Sequence, residues 1–292
     1  MRRTGHGGPL AGILRLALAV AMMGAAGGAM PARAGPASSE SCPPEAGEPR
    51  AVTRLIDPAT LALDDAREVR LLGLLAPSAR DVPGGATSWL PAREAEAALE
   101  TLLASRRVRV SSDGAARDRY GRQVAHVFAD DETTRVWLQA ALVESGHARV
   151  APLPGQIRCL GALLTREAVA RAMRKGLWQN PAYAVRQARD TRGLLALQGT
   201  FQIVEGRVAA TGTTRREVFL NFGRDWRWDF TAAVDLRRVP DRDALTARLK
   251  SLQGRNVRVR GWLVRRNGPF LALATPDAIE ELPEGIGTAG GR

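Results

Sequence analysis

The chain has 292 residues, 45% hydrophobic and 25% charged, a balance that excludes a disordered or fibrous protein and suffices for two folded cores. The formal net charge of +12 favours anionic partners, nucleic acid or a membrane surface, without choosing between them. The cations are almost all arginine, Lys175 and Lys250 being the only lysines, and two cysteines alone cannot build a structural zinc site.

At the N-terminus Arg2, Arg3 and Arg15 precede an apolar run, Leu16 to Ala26, too short to span a bilayer comfortably. Ala32-Arg33-Ala34 follows, with small residues where a signal peptidase reads. Residues 1–34 are therefore expected to be a signal peptide cut after Ala34, giving a periplasmic or secreted protein. The cut removes four arginines and no acid, leaving about +8. Ser39-Glu40-Ser41 before Cys42 is not a lipid-attachment pattern. In an oxidising compartment Cys42 and Cys159 are expected to pair. Closing that loop stabilises by about 4–5 kcal/mol in the chain-entropy model.

Residues 35–49 read as an exposed leader rich in Pro, Ser, Glu and Gly. Short apolar runs then predict strands at Val52–Ile56, Leu61–Leu63 and Val69–Leu72, split by Asp57-Pro58 and Asp64-Asp65. A polar loop, Ser78 to Ser88, leads to a helix over Pro91–Ser105, with Ala95, Leu99, Leu102 and Leu103 as its stripe. Strands at Val108–Val110 and Val124–Phe128 flank the charged hairpin Asp118-Arg119-Tyr120-Gly121-Arg122. Helices are predicted over Val136–Ser145 and Leu160–Lys175, ended by Gly146 and Gly176. Three strands, helix, two strands, helix is the order of an OB-type barrel with appended helices.

Residues 179–198 read as a basic linker. A second β-β-β-α-β-β pattern covers 199–284 and predicts another OB-like barrel. In it, Trp226, Trp228 and Phe230 alternate as if along one strand, on one face. That face is either core or a stacking platform for bases, with Arg224, Arg227, Arg258 and Arg260 supplying charge. Residues 285–292 read as a disordered tail. The fold class is thus mainly β with packed helices: a five-stranded barrel followed by a second OB-like barrel.

Two local patterns carry chemistry: Val69-Arg70-Leu71-Leu72-Gly73-Leu74-Leu75-Ala76-Pro77 and Asp118-Arg119-Tyr120-Gly121-Arg122. Their order, the helix between them and Gly176-Leu177-Trp178 at the end resemble the thermonuclease, or staphylococcal-nuclease-like, family over a domain at 50–178. The resemblance implies phosphodiester cleavage with calcium, two arginines and a glutamate base. Arg70 and Arg122 stand at the two arginine positions, where forked hydrogen bonds would hold a phosphate. Arg119 and Tyr120 on the same hairpin are candidate substrate contacts.

The acids of the family pattern are missing. Asp57-Pro58-Ala59-Thr60 stands for Asp-Gly-Asp-Thr, so one metal ligand is Ala59. Leu75-Ala76-Pro77-Ser78 stands for Asp-Thr-Pro-Glu, so the other is Leu75 and the base position holds Ser78. Calcium asks for several oxygen ligands and a base must accept a proton near neutral pH; these three residues meet neither demand. Asp57, Asp64, Asp65 and Asp81 lie nearby, as compensating acids or as turn chemistry. Arg70 either binds an anion or pairs with a carboxylate such as Asp118. His126 and His147 form no metal or triad spacing.

Three readings follow. The first is an exported, non-catalytic protein that binds nucleic acid, another polyanion or an envelope partner, without a cofactor. The second is a nuclease with rearranged calcium ligands. The third is a structural envelope protein whose basic charge is compositional.

Overall fold

The structure is a computed structural model that describes residues 47–111, 117–131, 133–155 and 158–283. The expected signal peptide, most of the leader, Cys42 and the 285–292 tail lie outside the described residues.

The first barrel opens with β1 (Val52–Asp57), β2 (Thr60–Leu63), β3 (Glu68–Leu71) and the short β4 (Leu74–Leu75). Helix α1 (Leu90–Leu103), β5 (Arg107–Ser111), β6 (Gln123–Asp130) and β7 (Arg135–Trp137) follow. Then come α2 (Leu138–Glu144), β8 (Arg149–Val150) and α3 (Leu160–Ala172). The strand order is β1-β2-β3-β6-β5, with β3 and β6 parallel. Arg50 and Val108 exchange two 2.8 Å backbone hydrogen bonds, joining the chain before β1 to β5 and closing the sheet. Leu61, Val69, Leu71, Val108 and Val127 face inward and pack with Leu99 of α1 and Leu138 and Leu142 of α2. Their alternation along each strand is what places one face in the core.

The sequence predicts a helix from Val136, but Arg135–Trp137 pairs with β6 and the helix starts at Leu138. Packing decides this: the Trp137 ring stacks on Phe128 at 6.2 Å and meets His126 edge-on at 5.3 Å. A β-branched residue beside an aromatic suits the pleated surface better than a helix start. At the other end of α2, Gly146 (φ 77°) and Gly176 (φ 48°) meet back to back, Leu177 N donating to Gly146 O at 2.9 Å. A Cβ on Gly146 would lie 2.2 Å from Lys175 O.

Residues 179–198, expected as a linker, include β9 (Arg186–Gln187) and α4 (Thr191–Ala196). Tyr183 is buried in a small core with Ala170, Leu177, Trp178, Phe201 and Ile203, which joins α3 to the second barrel.

The second barrel contains β10 (Phe201–Arg207), β11 (Ala210–Thr213), β12 (Glu217–Asn221), β13 (Thr231–Asp235), α5 (Arg242–Ser251), β14 (Asn256–Arg266), β15 (Gly268–Leu273) and β16 (Ile279–Glu281). Its order, β11-β12-β13-β15-β14-β10, repeats that of the first, with β13 and β15 parallel. The first strand is divided between β10 and β11, one half pairing with each edge of the sheet. Trp226 and Trp228 correct the sequence reading: they sit in a turn, 52% and 68% exposed, while Phe230 is fully buried. Asp225 and Asp229 cause this, because Asp225 N donates to Asp229 Oδ2 at 2.9 Å and Arg227 N to Asp225 Oδ1 at 3.0 Å, closing a turn where a strand was expected.

Arg258 and Arg260 are corrected too. They alternate with Val257 and Val259 as a solvent face would, yet that face is covered by α3. Arg260 Nη1 donates to Glu167 Oε2 at 2.8 Å and to Val150 O at 2.9 Å, and Nη2 donates to Glu280. Arg258 donates to Glu205 at 2.6 Å. Arg260 and Glu167 are both fully buried. No helix among the described residues is long and apolar enough to cross a membrane.

Candidate functional site

The site is built where β3, the β1–β2 turn and the hairpin before β6 meet. Thr60 on β2 stands opposite Arg70 on β3, so both side chains share one face. Arg122 Nη1 lies 3.4 Å from Thr60 Oγ1. The two arginines predicted from the sequence are thereby brought to one place by a buried threonine between them.

They are held differently. Arg122 is clamped by Asp118, its Nε donating to Oδ2 at 2.7 Å and its Nη2 pairing with Oδ2 at 2.6 Å. Asp118 Oδ1 accepts from Tyr120 N at 2.9 Å and from Arg122 N at 3.1 Å, which shapes the hairpin. Burial pushes the Asp118 carboxyl up, but the Arg122 guanidinium and these two amides prevail and hold it below the usual carboxylate range. Arg70 does not pair with Asp118, contrary to one sequence reading. Its half-buried side chain has no hydrogen bond or ion pair among the described residues. One arginine is fixed and the other is open, which leaves guanidinium donors free for an anion.

Tyr120 stands at the hairpin tip, 66% exposed. The guanidinium carbons of Arg119 and Arg122 lie 4.8 and 5.0 Å from its ring centroid, and Arg119 Nη2 donates to its hydroxyl at 2.6 Å. Such stacking keeps both cations orientated at the mouth of the site.

The nearby acids do other work. Asp57 Oδ1 accepts from Ala59 N at 2.8 Å and closes the β1–β2 turn; its Oδ2 is 3.8 Å from Arg122. Asp65 pairs with Arg67 at 2.6 Å, and Asp64 accepts from Ala51 N at 3.1 Å. Ser78 caps a single turn, Ala79–Asp81, its Oγ accepting from Arg80 N while Asp81 returns a carboxylate to Ser78 N. Asp81 is 4% exposed and points away from the arginines, towards Arg149 at 2.9 Å and the Tyr183 hydroxyl at 2.7 Å. It is engaged away from the arginine pair and does not lie in a solvated loop. Ala59 is buried and Leu75 half-buried, both hydrocarbon. One carboxylate, Asp57, is too few oxygens for calcium, and the family's metal does not fit these residues.

His126 is buried on β6 beside Trp137, away from the arginines. His147, its pKa lowered by burial, lines a cleft of about 860 Å3 between α1 and residues 176–181. Cys159 starts α3, and its expected partner Cys42 lies outside the described residues. Arg149 and Tyr183 carry only a faint signal in the sequence: a lone arginine between apolar residues, and one of only two tyrosines.

The fold and site define an OB-type barrel that carries two convergent arginines on its open face. Residues 68–180 match the family model of staphylococcal nuclease homologues, and this part of the chain is a domain of that family. The match begins at β3 and runs past α3, taking in Arg70 and Arg122 but not Ala59. No curated protein matches the chain significantly.

Proposed function

We propose that this nuclease-type domain binds the phosphates of nucleic acid without cutting them, in a protein exported through its N-terminal signal. The observation that carries the reading is the open guanidinium of Arg70 beside the clamped guanidinium of Arg122, where the acid positions hold Ala59, Leu75 and Ser78. Two guanidiniums supply forked donors to a phosphate. Attack of water on phosphorus also needs a base and charge neutralisation, and Ser78 is engaged in capping. The disulfide between Cys42 and Cys159 belongs to the same proposal of an oxidising compartment.

The test is retention of DNA and RNA at several salt concentrations, with calcium and with chelator. Binding without cleavage is expected, and Arg70→Ala should reduce the slope of log affinity against log salt by about 1, the signature of one lost phosphate contact. Calcium-dependent cleavage that disappears in Arg122→Ala would establish the nuclease with rearranged ligands instead. Absence of any nucleic-acid retention would leave the structural envelope role.

A further inference from the structure

We infer that the outer face of the second barrel carries a separate site for an unpaired nucleobase, in the groove floored by Phe219 and Phe270 and walled by Trp226. The inference rests on the proposed nucleic-acid reading and gives it a second contact, on residues outside the nuclease-type domain.

The outer face of a barrel sheet is normally polar and solvated. Here Phe270 on β15 stands beside Thr231 on β13, and Thr231 beside Asn221 on β12, so all three share that face. Phe219, two residues before Asn221, lies on the same side. With Trp226 these residues enclose about 300 Å3, the lower end of the range for small-molecule sites.

Three features select a base. First, one aromatic surface is presented: Trp226 is 52% exposed at the wall, whereas Phe270 in the floor is 4% exposed and stays covered. The Arg266 guanidinium lies 5.5 Å from the Phe219 centroid and 4.9 Å from that of Phe270, and Glu217 holds it by two bonds of 2.7 and 2.8 Å. Trp226 and its exposed neighbour Trp228 are held out by the closed Asp225–Asp229 turn. Large indoles so exposed serve contacts with partners more than cores. Second, Asn221 Oδ1 accepts from Thr231 Oγ1 at 3.2 Å, leaving the Asn221 amide hydrogens without a partner among the described residues. They are donors for a ring carbonyl or nitrogen. Third, the rim is cationic. Arg215 and Arg265 adjoin the lining residues Thr214 and Arg266 in sequence and are exposed, with no ion pair among the described residues. The acids at the rim, Glu217, Asp225 and Asp229, are engaged with Arg266 and with the turn. Stacking surface, amide donors and free cations together fit a base with its phosphates, whereas an apolar peptide would leave the cations unanswered.

The experiment follows tryptophan fluorescence of the mature protein as a deoxythymidine oligomer, an abasic oligomer of equal length, a DNA duplex and a proline-rich peptide are added in turn. The oligomer should quench fluorescence. Trp226→Ala, a change at an exposed position, should weaken it by about 5- to 150-fold, as loss of one base–aromatic stack does. Abasic and duplex binding, carried by Arg70 and Arg122, should be the same in Trp226→Ala and wild type. Equal oligomer affinity in the two proteins overturns the groove while leaving the phosphate-binding reading intact. Binding of the peptide in place of the oligomer overturns it in favour of a protein partner. No binding of any nucleic acid overturns both.

Discussion

Asp81 Oδ1 accepts a 2.9 Å hydrogen bond from Arg149 Nη2, and the two side chains are 2% and 3% exposed. The pair lies where the barrels meet. Arg149 also donates to Phe201 O at 2.8 Å and lies between the rings of Tyr183 and Phe201, 4.8 and 5.2 Å from their centroids. The acid three residues after Ser78 therefore ties the first barrel to the second.

Removing either partner leaves a buried charge without its counterion, which costs about 3–5 kcal/mol. Asp81→Ala and Arg149→Ala should each lower stability to urea by that order. The double variant should lose less than the two combined, because one change already removes the shared interaction. Nucleic-acid affinity of the folded Asp81→Ala protein should match wild type. A catalytic Asp81 would give the reverse: full stability and altered chemistry.

Arg260 and Glu167 make the same argument one layer further along the junction. Both are fully buried, and Glu167 Oε1 also accepts from Val150 N at 2.7 Å. Glu167→Ala should cost about 3–5 kcal/mol. In the wild-type protein both barrels should unfold in one calorimetric transition, since breaking either exposes this pair. Two separate wild-type transitions would contradict that coupling.

The acid limb of stability should depend on Asp118. Its carboxyl is held below the usual range by Arg122 and two backbone amides, against an opposing effect of burial. Its contribution is complete above the unfolded-state value of about 3.9 and is lost as pH falls through the lower folded value. Unfolding midpoints measured between pH 2 and 6 should therefore fall less steeply in Asp118→Asn than in wild type. Parallel curves would show that the clamp contributes nothing.

Much of this was legible in the sequence because it is local. Alternation along β2, β3 and β6 exposes the core of the first barrel, and the hairpin ending in Arg122 announces its own turn. The substitutions Ala59, Leu75 and Ser78 are likewise visible at once against a resemblance. The rest depends on what covers a face. Arg258 and Arg260 read as solvated because alternation says which residues point away from a barrel, not whether α3 lies there. Trp226 and Trp228 read as strand because their spacing is right, while the carboxylate contacts of Asp225 and Asp229 that close a turn lie in side-chain geometry. Arg70 and Asp118 share a domain but not a bond, since Arg122 is nearer in the hairpin.

Calcium gives the sharpest test of the site. A ligand that binds only the folded state adds RT ln(1 + [L]/Kd), about 2.7 kcal/mol at a hundredfold excess over Kd. With hydrocarbon at positions 59 and 75, the wild-type Tm should be the same in millimolar calcium and in chelator. The variant Ala59→Asp with Leu75→Asp places two more carboxylates beside Asp57. Ala59 is 2% exposed, so in chelator the new charge is buried and the variant should melt below wild type. Calcium should recover that loss and Arg122→Ala should not prevent it, because the metal needs the acids and not the arginine. A wild-type Tm that rises with calcium would mean that other oxygens hold the ion, and the phosphate-binding reading would give way to a metal-dependent one.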